Sequence, residues 1–166
     1  MPDHKQVMTA AKFMNQLQDS CDWYTGVPSG RLKAIYRAIP EDKYYFAPRE
    51  DHAMAMAFGA RLMGKKPVVF MQNSGVGYIG DVVCGLYNIY KTGVIMVVDC
   101  IGESPERPPQ HVEWGYNRTV DVLVALGIWV RDLLHTENTV ALVSNEAWRL
   151  NRPVAILIRE GVINAN

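Results

Sequence analysis

Three stretches of this chain, Pro67-Val68-Val69-Phe70-Met71, Val94-Ile95-Met96-Val97-Val98-Asp99 and Pro153-Val154-Ala155-Ile156-Leu157-Ile158, are almost wholly apolar and show no polar alternation. A strand with one face in water alternates with a period of two, so an unbroken apolar run of this length marks a strand covered on both faces. Parallel strands need long return connections, and the helix-like segments between these runs supply them. Three such strands therefore point to a parallel sheet lying between layers of helices.

The rest of the chain fits that frame. Residues 5–20 place Val7, Met8, Ala11, Phe13, Met14 and Leu17 at helical spacing, and Trp23-Tyr24-Thr25-Gly26-Val27 reads as a short strand broken by Pro28 and Gly30. A helix over about 30–39 stops at Pro40, and 43–47 is the second strand. A helix over about 51–63 ends at Gly64, with Lys65 and Lys66 near its negative end. The glycine-bearing loop 72–78 precedes a helix of about 79–92, and 101–114, with Pro105, Pro108 and Pro109, is an irregular excursion. Residues 116–126 then read as a helix, 128–130 as a short strand and 137–150 as a helix before the last strand. About six strands separated by helices make a doubly wound α/β domain with a mostly parallel sheet, right-handed crossovers and helices on both faces, a single domain over 1–166.

Bulk properties remove several function classes. Seventeen basic and seventeen acidic side chains cancel, so no overall field favours nucleic acid or an anionic membrane. No apolar stretch approaches the roughly 18 residues needed to span a bilayer, and the N-terminus lacks a basic-then-apolar leader, which predicts a cytoplasmic protein. Cys21, Cys84 and Cys100 are odd in number and widely spaced, with no CxxC, and read as free, buried thiols in a reducing compartment. No metal site is predicted within the chain.

In a parallel sheet every strand presents its carboxyl end to one rim, where ligands bind. Three loops leave predicted strands there: Gly26-Val27-Pro28-Ser29-Gly30, Pro48-Arg49-Glu50 and Gln72-Asn73-Ser74-Gly75-Val76-Gly77. Glu50 closes the Pro48–Glu50 turn at a strand's carboxyl end, just before the helix that Asp51 opens, a first-turn position the helix dipole also favours by a few tenths of a kcal/mol on its own account. The 72–77 loop has glycines that let backbone approach a ligand, but it lacks the lysine and Ser/Thr of GxxxxGK[ST] and is no phosphate loop. Met54, Met56 and Met63 form a soft helical face of the kind found at subunit interfaces, and Arg107 and Arg118 read as solvated.

The runs from Arg49 to Ala60 and from Gly64 to Gly77, with Thr25-Gly26-Val27-Pro28 before them and Pro109-Gln110-His111 after, resemble the pyrimidine-binding domain of thiamine-diphosphate-dependent 2-oxoacid decarboxylases, most closely the phosphonopyruvate and sulfopyruvate decarboxylases. The resemblance covers nearly the whole chain. It implies that Glu50 hydrogen-bonds the aminopyrimidine of thiamine diphosphate and favours its imino tautomer, which deprotonates the thiazolium so that it can attack a 2-oxoacid. It implies further that Asn73, Ser74, Gly75 and Gly77 line the cofactor with Glu50, and that Pro28, Ser29, His52, Gln72 and His111 lie on the substrate side, His52 as a candidate proton shuttle.

Members of this family hold Mg2+ and the diphosphate with a Gly-Asp-Gly segment and a later asparagine. Here the only Gly-Asp pair is Gly80-Asp81, followed by Val82. The resemblance thus implies one subunit of a split enzyme, of α2β2 type or larger, in which a second subunit supplies the diphosphate and Mg2+ site and shares the cofactor across the interface. The chain departs from the closest pattern at Ser29-Gly30, at Tyr78 and at Asp99-Cys100-Ile101-Gly102, rim positions on the substrate side. A thiamine-dependent carboligase or C–C lyase subunit is the enzyme alternative, and a flavodoxin-like binding module that kept the fold without the chemistry is the non-enzyme one.

Overall fold

The computed structural model describes residues 8–133 and 138–164. Six strands, β2 (Trp23–Gly26), β3 (Tyr44–Phe46), β4 (Pro67–Gln72), β5 (Val94–Asp99), β6 (Trp129–Asp132) and β7 (Pro153–Ile158), form one sheet in the order β3-β2-β4-β5-β7-β6. Every neighbouring pair is parallel. The three apolar runs are its middle, β4, β5 and β7, with side chains alternating between two cores. Val68, Phe70, Ile95, Val97, Val154 and Ile156 face one layer, and Val69, Met71, Met96, Val98, Ala155 and Leu157 face the other. Each side chain removed from water in this way contributes about 1.5–3 kcal/mol, which is why the runs carry no polar residue until the rim.

The first layer holds α1 (Ala10–Gln18), α2 (Lys33–Arg37) and α8 (Thr139–Arg149), through Phe13, Met14, Leu17, Ile35, Val140, Val143 and Ala147. The second holds α3 (Glu50–Leu62), α7 (Tyr116–Ala125) and a continuous helix made of α4 (Gly80–Val82), a π-helical turn (Val83–Tyr87) and α5 (Asn88–Tyr90). Layer and direction are linked. Connections that step across the sheet toward β6 run through the second layer, and those that step toward β3 run through the first, as right-handed crossovers require. The chain leaves β2 toward β3 but leaves β4 toward β5, so the crevice between the carboxyl ends of β2 and β4 is the topological switch point.

Several sequence expectations need correction. The first helix starts at Ala10, because Met8–Thr9 is extended: β1 (Met8–Thr9) pairs in parallel with β8 (Ile163–Asn164), and the Thr9 hydroxyl accepts Lys12 N–H at 3.2 Å as the N-cap. Neither short strand was foreseen, since two residues carry no periodicity. Residues 5–7 of the expected first helix, Val7 included, and residue 137 of the last one lie outside the described residues. Met54 is core rather than interface, packed under the sheet with Ala53 and Ala57, whereas Met63 is 82% exposed. Cys84 is exposed, while Cys21 and Cys100 are buried and have thiols pushed up to about 12 by desolvation.

Gly64 does terminate α3: its φ of +83° lets Lys65 N–H reach the Ala60 carbonyl at 3.0 Å and Gly64 N–H reach the Arg61 carbonyl at 3.0 Å. Among the described residues no helix is long and apolar enough to cross a membrane.

Candidate active site

Glu50 sits on the rim because β3 is short and its exit is rigid. Ala47 N–H bonds the Gly26 carbonyl at 3.2 Å, Pro48 follows, and Arg49 is fully extended (φ −150°, ψ 162°), so the helix begins abruptly at Glu50. The loop after β4 then meets it. Asn73–Tyr78 coils as a 3-10 turn, and Gly75 lies so close that a Cβ there would stand 2.4 Å from Glu50 Cγ and 2.5 Å from both Cδ and Oε1. Only glycine leaves room for the carboxylate in this position. Glu50 is half-buried, and its carboxylate makes no hydrogen bond or ion pair with any described residue, although its charge is felt by the neighbouring Arg49. The basic charge beside it is already taken: Arg49 Nη2 pairs with Asp51 at 2.5 Å, its Nε donates to Asp51 at 3.1 Å, and its guanidinium stands over the Tyr78 ring at 5.4 Å. Those contacts hold the Asp51 carboxyl below the usual carboxylate range and leave Glu50 as an unengaged acceptor.

The loop is pinned from below. Asn73 is fully buried, and its Nδ2 donates to the carbonyls of Ile101 at 2.9 Å and Trp114 at 2.6 Å. Two carbonyl partners fix which end of the amide is nitrogen. Its Oδ1 is buried with no donor among the described residues. Asn73 thus braces the loop from below, its side chain fully buried beneath it. Gln72 Nε2 donates to the Ser74 hydroxyl at 3.0 Å, so these two half-buried groups face each other. Gly77 is open to solvent and lies against Trp114, whose ring would meet a Cβ there at 2.9 Å.

The remaining candidates are more dispersed. Pro28 is exposed at the mouth of the switch-point crevice. Gly26, which starts that loop, has φ +152° and no room for a side chain, since a Cβ would sit 2.1 Å from the Phe70 carbonyl oxygen. Ser29 turns inward: it is buried, and its hydroxyl donates to Asp99 Oδ2 at 2.5 Å. His52 points outward, 59% exposed, with Nδ1 3.5 Å from Asp51. His111 is half-buried on the short helix α6 (Pro109–Glu113), which the Asn73 bonds to Ile101 and Trp114 bracket on either side. Arg107 and Arg118 are paired, with Glu160 at 2.9 Å and Glu113 at 3.0 Å.

Sequence reasoning placed Asp99 on this rim, as the carboxylate ending an otherwise apolar strand, but missed Trp114, Arg31 and Glu160, which carry no local signal. Among the described residues no group of three or more His, Cys, Asp or Glu side chains is arranged to hold a metal ion.

Residues 9–121 match the family model for the thiamine pyrophosphate enzyme, N-terminal TPP binding domain. The chain is 28% identical over 149 residues to the sulfopyruvate decarboxylase subunit alpha of Methanocaldococcus jannaschii, covering 86% of this chain and 88% of that one. It is 27% identical over 143 residues to the subunit of the same name from Methanothermobacter thermautotrophicus, covering 82% and 86%. Among solved structures, an enzyme from Mycobacterium smegmatis assigned as thiamin diphosphate-dependent superposes with a TM-score of 0.67 at 20% identity over 93% of this chain. That likeness concerns the fold, and this chain spans only 31% of the solved one.

Proposed function

The chain belongs to the thiamine pyrophosphate enzyme family through its N-terminal TPP-binding domain, and on that premise we propose that it is the alpha subunit of a two-subunit thiamine-diphosphate-dependent decarboxylase acting on a small anionic 2-oxoacid of the 3-sulfopyruvate type. The observation that carries this reading is the unengaged Glu50 carboxylate lying across Gly75 at the first turn of α3. The names of the two relatives, each a subunit alpha of sulfopyruvate decarboxylase, supply the substrate class and the expectation of a partner.

The residues present fit the aminopyrimidine end of thiamine diphosphate. Glu50 offers a carboxylate with no hydrogen-bond or ion-pair partner among the described residues, beside backbone that Gly75 leaves open, and the neighbouring Arg49 is paired with Asp51. They do not fit the diphosphate end, which needs cations or a metal. Arg49 is committed to Asp51, and Gly-Asp-Gly does not occur in the sequence. In this reading residues 1–166 form one pyrimidine-binding domain, and a cytoplasmic partner chain holds Mg2+ and the diphosphate in an α2β2 or larger assembly.

When bound, thiamine diphosphate supplies an electron sink that accepts the pair released as carbon dioxide leaves. With the cofactor bound, the Glu50 carboxylate would hold or share a proton with a ring nitrogen of the aminopyrimidine, which would set the protonation state of its amino group. Gly75 keeps the space that lets Glu50 reach, and Asn73 keeps Gly75 in place. Trp114 covers one flank of the loop at Gly77. His111 and Pro28 stand on the substrate side.

Co-expression with a chain carrying the Gly-Asp-Gly segment, followed by assay of carbon dioxide release from 3-sulfopyruvate, tests the reading. The reconstituted complex should turn over, and the Glu50→Gln complex should bind cofactor with kcat lowered by about 10²–10⁴-fold. Decarboxylation by the isolated chain would refute the split-site arrangement, and full activity of Glu50→Gln would refute the role of Glu50.

A further inference from the structure

Four charged side chains that the chemistry at Glu50 leaves unused meet on the same rim, on the layer of the sheet opposite α3. Asp99 ends β5 with its carboxylate fully buried; Oδ2 accepts the Ser29 hydroxyl at 2.5 Å, and Oδ1 lies 3.5 Å from the Arg31 guanidinium without a hydrogen bond. Arg31 Nη1 donates to the Cys100 carbonyl at 3.0 Å and to Glu160 Oε1 at 3.3 Å. The same Glu160 oxygen takes Arg107, from Nε at 3.0 Å and Nη2 at 2.9 Å. The contacts run without a gap from the loop after β2, past the end of β5 and the turn after β7, to the excursion before α6. One end carries Pro28 and Ser29. The other carries Gln110 and His111.

Stability alone does not account for Asp99. A buried carboxylate with one oxygen short of a donor is a poor packing element, and an amide or apolar group of similar shape serves a core as well. What an amide or a leucine cannot do is hold a hydroxyl and a guanidinium at once. We propose that Asp99 is a positioning residue for the substrate side of the site: through Ser29 and Arg31, and through Glu160 to Arg107, it sets the separation between the Val27–Ser29 loop and the excursion bearing His111, and so the width of the mouth that admits the 2-oxoacid. The proposal rests on the decarboxylase reading above. The brace carries two positive and two negative side chains, so it shapes the mouth without itself binding the substrate anion.

Two Asp99 variants in the reconstituted complex separate position from charge. Asp99→Asn keeps an oxygen for Ser29 and Asp99→Leu does not, while both remove the same charge. KM for 3-sulfopyruvate should rise about tenfold in the Leu variant and about threefold or less in the Asn variant, with kcat and the thiamine diphosphate Kd, read from tryptophan fluorescence, within about twofold of wild type. Equal KM values in the two variants, or KM and cofactor Kd rising together, would overturn the proposal. A Leu variant that does not fold is replaced by Ser29→Ala, for which the same split of KM from Kd is expected.

Hydrogen exchange on the same complexes gives a reading independent of turnover. Amides of residues 101–108 should exchange about tenfold faster in the Leu or Ser29→Ala variant while those of α3 stay at the wild-type rate, and unchanged exchange in 101–108 overturns the brace. A wild-type complex that turns over no 2-oxoacid refutes the decarboxylase reading, whereas the exchange data still decide the brace.

Discussion

Glu50 and Asp99 are both carboxylates at the carboxyl-terminal rim of one parallel sheet, and the structure treats them in opposite ways. Glu50 is half-buried at a helix N-terminus, its carboxylate hydrogen-bonded to no described residue, against a glycine that clears its path. Asp99 is fully buried and tied to a hydroxyl and a guanidinium from another loop. A group that must exchange or share a proton with a ligand has to be left unengaged in the protein, and a group that must hold loops has to be consumed by them. On the proposed reading, availability, more than burial, divides the chemistry from its support on this rim. The comparison fails if the two carboxylates respond alike to substitution.

The largest effect is expected at the unengaged carboxylate. Glu50→Gln keeps shape and removes the proton acceptor, so kcat of the reconstituted complex should fall by about 10²–10⁴-fold, the usual range for a proton-transfer group. Melting temperature should stay within about 2 °C of wild type, because Glu50 bonds no described residue and only a first-turn helix charge is lost. A kcat loss below about tenfold would place Glu50 with the supporting groups and erase the contrast with Asp99.

Gly75→Ala asks whether the contact, rather than the carboxylate alone, matters. The added methyl would overlap Glu50 within 2.4–2.5 Å, so one of them must move, and a displacement on the order of 1 Å at a reacting group costs about 10²-fold in rate. We expect about a 10–100-fold loss of kcat with a folded protein. Combining it with Glu50→Gln should add little, because the alanine acts by displacing a side chain that Gln has already disabled. Additive losses would mean that Gly75 meets the cofactor directly.

Below that in size comes Asn73→Ala, which strips a donor from two carbonyls beneath the loop. Leaving buried acceptors unpaired costs about 1–3 kcal/mol, and for a domain of this length each kcal/mol shifts melting by about 2–4 °C. A drop of about 3–10 °C in thermal denaturation, with cofactor affinity affected less than kcat, fits a brace. Loss of cofactor affinity with unchanged melting would return Asn73 to the ligand surface.

How far the sequence foretold this arrangement depends on how local each cause is. The apolar runs of β4, β5 and β7 and the position of Glu50 were legible because burial on both faces leaves a direct mark on composition, and a helix start has a short-range signature. Gly64 was legible for the same reason. The β1–β8 pair was not, since Met8–Thr9 is extended only because Ile163–Asn164 lies beside it. Asn73 and Ser29 were legible as rim residues, but the burial of their side chains was not, because a sequence gives position along a strand and not the direction of a loop side chain. Asp99, Arg31 and Glu160 come from three segments far apart in the chain, and nothing short of the sheet order brings them together.

The smallest effect concerns the engaged carboxylate, and its sign is what tells. Burial pushes the Asp99 carboxyl above its ordinary value of 3.8, against the opposing pull of Ser29 and Arg31. A carboxyl raised on folding favours the fold in its protonated form: that contribution is complete below 3.8 and is lost as pH rises through the raised value. Asp99→Asn removes the titration while keeping the shape. At pH near 8 the Asn variant should therefore melt higher than wild type, by on the order of 2 °C, and the gap should close as pH is lowered toward 4. Taking the difference between the two proteins at each pH cancels every other titrating group that the substitution leaves alone, Asp51 among them. A variant that melts lower at pH 8, or a gap constant across the range, would show Asp99 to be an ordinary stabilising ion-pair partner of Arg31. A gap that closes on acidification, together with a raised KM, would instead mark a carboxylate kept at some expense of stability for the loops it holds.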